Sequence, residues 1–93
     1  MTEDELIAMG GYCDLLLQSE WFKVAVHEFD QQCYYRFVQT LPAHKMEREG
    51  VYHQWQGARD LLAHLAAYVE QAQQAAERNA ALSQEDARIP GID

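Results

Sequence analysis

From residue 51 to residue 76 the side chains Val51, Trp55, Ala58, Leu62, Leu65, Val69, Ala72 and Ala76 follow one another at alternating steps of four and three. Such steps gather every member on one side of an α-helix and scatter them over both faces of a strand. The stripe therefore predicts one long helix, read from about Pro42 to Arg78, with proline in its first turn. At 1.5 Å per residue it would be roughly 50 Å long. The spacing is that of a heptad, and its late members are small enough to let another helix approach closely.

Two shorter helices precede it. Thr2 with Glu5 three residues on has the form of a capping box, and the helix it opens carries Leu6, Met9, Cys13 and Leu16 at helical spacing. Gly10 and Gly11 weaken its middle, since glycine costs about 1 kcal/mol relative to alanine inside a helix. Ser19 can cap a second helix running to about Gln39. Its main stripe is Phe22, Val26, Phe29, Cys33 and Phe37, while Trp21, Val24, Tyr35 and Val38 collect on nearly the opposite side. A helix apolar on two faces is expected to be sandwiched, with one face on the third helix and the other on the first helix or on a neighbouring subunit. The break at Thr40-Leu41-Pro42 follows, because proline cannot continue a helix.

With no Asn-Gly or Asp-Gly hairpin signal in the chain, the expected fold is all-α: a short N-terminal helix plus an antiparallel helical hairpin with a long third helix. Residues 1–82 are expected to form a single helical domain and residues 83–93 a C-terminal tail around Pro90-Gly91, with Ser83 capping only a short turn. The second helix, roughly 30 Å long, covers only part of the third. The stretch from Ala72 to Ala81 is then left for another chain. Met46 is expected to close the hairpin against Phe37 or Val38.

A chain of 93 residues hides only somewhat over half of its surface on folding, so oligomerisation or a partner is expected. Its 15 acidic and 7 basic residues give a net charge of -8, which repels phosphate backbones and anionic lipid and argues against direct nucleic-acid or membrane binding. No apolar run approaches the roughly 20 residues that span a bilayer, and the start Met-Thr-Glu-Asp-Glu lacks the features of a signal peptide. A cytoplasmic protein is expected. Cys13 and Cys33 fall on different helices without C-x-x-C spacing, so both are read as free buried thiols.

The stretch HKMEREGVYHQW, residues 44–55, is the place where chemistry would be sought. On the third-helix wheel Glu49, His53, Asp60 and His64 lie on one line opposite the apolar stripe. His53, Asp60 and His64 could in principle gather a zinc ion. However, His53 and Asp60 stand two turns apart, and no H-E-x-x-H or E-x-x-H motif is present. A solvated polar face with i, i+4 pairs is the preferred reading, with a further such pair between Lys45 and Glu49. Ser19 and Ser83 sit where caps belong, Cys33 lies in the core stripe, and Gly10-Gly11 lacks the lysine and hydroxyl of a P-loop. Neither an enzyme nor a cofactor is expected.

From Leu15 to Leu65 the segments LLLQSEWF (15–22), QTLP (39–42), REGVY (48–52) and ARDLLAHL (58–65) resemble a group of small helical proteins encoded by tailed bacteriophages. The resemblance covers about half of the chain. It implies a virion or assembly component, or a host-directed phage protein in the host cytoplasm, and carries over no catalytic residue.

The resulting expectation is a non-enzymatic protein that self-associates and binds other proteins through Trp21, Tyr35, Val38, Tyr52, Val69, Ala72 and Ala76. An alternative is a small acidic inhibitor whose carboxylates stand in for phosphates at the nucleic-acid site of a host enzyme.

Overall fold

The computed structural model describes residues 1–87, and the side chains of residues 1–83. It contains three helices: α1 (Glu3–Gln18), α2 (Glu20–Gln39) and α3 (Lys45–Ala87). The capping box forms as its sequence predicts, with the Glu5 N–H donating to Thr2 Oγ1 at 3.1 Å and the Thr2 N–H donating to the Glu5 carboxylate at 3.4 Å. A single extended residue, Ser19, separates α1 from α2. Its own N–H closes the last turn of α1 on the Leu16 carbonyl (3.1 Å), while its Oγ accepts from the N–H of Phe22 at the start of α2.

The direction of packing follows from which residues meet. Glu3 pairs with Arg78, Gly10 lies on Tyr68 and Ala72, Asp30 pairs with Arg59, and Arg36 donates to Gln54. As one number rises the other falls, so α1 and α2 run end to end and antiparallel along the single rod of α3. The fold is an all-α antiparallel hairpin whose first arm is broken at Ser19. It measures 77 × 25 × 18 Å.

Several sequence expectations are corrected. The third helix starts at Lys45, because Pro42 and Ala43 lie in a turn that closes with the His44 N–H on the Leu41 carbonyl (2.8 Å). It also runs beyond Arg78 and through Ser83 to Ala87, so no break occurs at the expected domain boundary; the tail around Pro90-Gly91 lies outside the described residues. Helix α1 is not stacked on the outside of α2, and α2 is not sandwiched within the chain. Instead α1 covers the late half of α3, where Ala72 and Ala75 are buried. Ala72, expected to await another chain, is therefore occupied by the chain's own first helix. Met46 points away from the stripe and is 87% exposed; the hairpin is closed by the guanidinium of Arg48, 4.4 Å from the centre of the Phe37 ring.

Side-chain size explains why the two halves of the rod pack differently. Where Gly10 meets Ala72, the backbones come so close that a methyl on Gly10 would lie 2.0 Å from the Ala72 Cβ. Where α2 faces α3, the bulky Phe37, Val51 and Trp55 hold the helices apart and leave a groove between them. The buried apolar residues Cys13, Cys33, Ala72 and Ala75 are all small, and no large side chain is fully buried among the described residues. Both cysteines are free thiols.

Candidate functional site

The candidate functional features among the described residues are exposed surfaces and a groove, and they divide by side. The back of α3 carries Glu49, His53, Gln56, Asp60 and His64, all exposed. Here His64 packs edge-on against Tyr68 with ring centres 4.8 Å apart, and His53 likewise against Tyr52 at 5.9 Å. No three His, Cys, Asp or Glu side chains gather closely enough to hold one metal ion among the described residues. His44 lies 3.9 Å from Glu47 in an exposed i, i+3 contact.

The opposite side, formed by α1 and α2, exposes large apolar side chains among polar ones. Trp21 is 83% exposed, and Val24, Tyr35 and Val38 stand with it on the outer face of α2. This face continues on α1 through Tyr12 and Leu15, each 72% exposed. Monomeric proteins keep exposed apolar patches small, and on α2 the apolar clusters at the two ends are separated by the exposed Glu28 and Gln31.

A second feature lies on the flank between α2 and α3. Cys33, Tyr34, Phe37, Val51, Tyr52 and Trp55 line an open groove of about 330 Å³. Its rim is polar. Asp30 is held by the Arg59 guanidinium, which also lies 5.4 Å from the centre of the Trp55 ring, and Arg36 reaches Gln54. These contacts bridge α2 and α3 at the rim of the groove.

Of the residues singled out from sequence, Trp21, Tyr35 and Val38 share the exposed outer face of α2, Trp21 at its start and Tyr35 and Val38 near its end. Tyr52 is half exposed and belongs to the groove. Val69 is half-buried on the α3 stripe, Ala72 is buried beneath Gly10, and Ala76 is exposed on a flank. Sequence reasoning missed Tyr12, Leu15, Tyr34 and the outward part of Trp55. For Tyr12 and Leu15 the signal was present: both lie opposite Leu6, Gly10, Cys13 and Leu17 on the α1 wheel, the positions that face inward.

None of the described helices is long and apolar enough to cross a membrane. Comparison with protein-family models, curated proteins and solved structures returns no match.

Proposed function

We propose that the chain is a non-enzymatic assembly protein of a bacteriophage particle that acts by binding proteins, and first of all its own copies, through α2 and the adjoining edge of α3. The observation that carries this reading is the outer face of α2: Trp21, Val24, Tyr35 and Val38 are all turned to solvent on a chain whose own core holds no fully buried large side chain among the described residues. Covering such side chains is worth about 25 cal/mol for each Å² of apolar surface removed from water. Among the described residues no helix is left to cover that face, because α1 is engaged on α3.

The phage setting rests on the resemblance across residues 15–65. Its test is whether mass spectrometry detects the protein in purified particles of the phage that encodes it; absence from particles would leave a binding protein without a structural place in the virion.

Self-association is tested by light scattering across a concentration range at low and high salt. The expected result is a multimer at tens of micromolar that survives high salt, since apolar contacts are not screened, with a melting temperature that rises with concentration. A monomer with a concentration-independent melting temperature would overturn the reading.

A further inference from the structure

The outer side of α2 also specifies how two copies meet. Along it Trp21, Val24, Glu28, Gln31, Tyr35 and Val38 succeed one another at steps of three, four, three, four and three, and all six are exposed. This is the spacing by which one helix meets another along its length. The order is two apolar residues, two polar and two apolar, the same from either end. Within each apolar pair the large residue comes first, so reversing the helix sets large against small.

From this pattern we infer that α2 pairs with α2 of a second copy, antiparallel, about a two-fold axis passing between Glu28 and Gln31. The inference rests on the self-association proposed above. In this arrangement Trp21 meets the partner's Val38, Val24 meets the partner's Tyr35, and the carboxylate of Glu28 accepts from the side-chain amide of the partner's Gln31. Each contact occurs twice, as an isologous interface requires.

The charges favour this orientation over its rival. A parallel pairing would set Glu28 against the partner's Glu28 and Trp21 against Trp21, a like-charge contact and a steric one, and would align the two helix dipoles. In the antiparallel pairing the residues bordering the seam are Ala25, Gln32 and Gln39 on one edge and Glu20, His27 and Tyr34 on the other, so the carboxylate among them, Glu20, stands at the outer end of the seam and away from the partner's Glu28. Asp30 is turned towards α3, where Arg59 holds it. The area is sufficient: α2 has 20 residues, about 30 Å of helix, and a seam along that length covers on the order of 1,000 Å² in total, the size at which specific interfaces begin.

The experiment measures the dimer dissociation constant of the full chain by sedimentation equilibrium, with circular dichroism to check that each variant is folded. Gln31→Glu places a carboxylate against the partner's Glu28 at two symmetric points and is expected to weaken the dimer at least about tenfold. Gln31→Lys is expected to strengthen it. The double exchange Glu28→Gln with Gln31→Glu, which rebuilds the amide–carboxylate pair in reverse, is expected to restore the wild-type constant. Gln56→Glu and Gln56→Lys on the back of α3 control for net charge and are expected to change little. If the wild type is a multimer while the two Gln31 variants shift its constant in the same direction or not at all, this pairing is overturned and self-association through another face stands. A wild type that stays monomeric overturns the self-association reading itself.

Discussion

Gly10 and Gly11 are neighbours in sequence with opposite roles. A Cβ on Gly10 would meet the Ala72 Cβ at 2.0 Å and the Tyr68 carbonyl oxygen at 2.8 Å, whereas one on Gly11 meets nothing within 4 Å. Neither obstacle at Gly10 is a flexible side-chain end, so relief requires α1 to move off α3. Gly10→Ala should therefore cost about 2 kcal/mol, overpacking outweighing the gain in helix propensity. Gly11→Ala should stabilise by up to about 1 kcal/mol. Urea denaturation at one fixed protein concentration separates the two, and equal effects would deny Gly10 its packing role. The same pair shows where the sequence was hard to read. A search for apolar side chains passes over glycine, so spacing alone selects Leu6, Met9, Cys13 and Leu16 as the inner face of α1. The structure turns Leu6, Gly10, Cys13 and Leu17 inward and leaves Met9 and Leu16 exposed. A similar shift near the end of the α3 stripe buries Ala75 in place of Ala76, as expected when a straight helix drifts against a seven-residue repeat.

At the scale of elements, Ser19 does the work of a loop in one residue. Its extended backbone ends α1, and its hydroxyl begins α2 through a hydrogen bond of 3.4 Å from Phe22. Ser19→Ala removes that acceptor and should cost about 0.5–1 kcal/mol, the lower part of the usual range because the bond is long; Ser19→Asp should retain the stability. Thermal melts of the two variants against the wild type check this, and a loss shared by both would point to backbone rather than capping. The Asp30–Arg59 pair is partly exposed, with 27% and 43% of the respective side chains accessible, so Asp30→Asn should cost less than about 1 kcal/mol. These elements were legible because caps and helical periodicity are local signals. The end of α3 was not, because Ser83 has the chemistry of a cap yet lies within a continuing helix. The pairing of α1 with the late half of α3 was also hidden, since what brings the two together is the absence of side chain at Gly10.

The whole molecule is a rod. Its radius of gyration of 21.2 Å far exceeds the roughly 12 Å of a compact domain of this length. Such a shape has much surface for its core, and this chain places polar residues along the back of α3 and clusters of exposed apolar ones, Tyr12 and Leu15 on α1 and Trp21, Val24, Tyr35 and Val38 on α2, on the other side. The proposed pairing then dictates the shape of the dimer. Helix α2 occupies the end of the rod next to the 40–44 turn, so a two-fold axis through its middle overlaps only those ends and sends the two α1 segments in opposite directions. Small-angle scattering should show the largest dimension growing from the 77 Å of one chain to roughly 110–120 Å in the dimer, estimated from the helix rise. The Gln31→Glu variant at the same concentration should return towards the single-rod value. A dimer no longer than one rod would instead mean that α1 and α2 pair along their whole joint length, bringing Tyr12 and Leu15 into the interface and moving the two-fold axis towards Ser19.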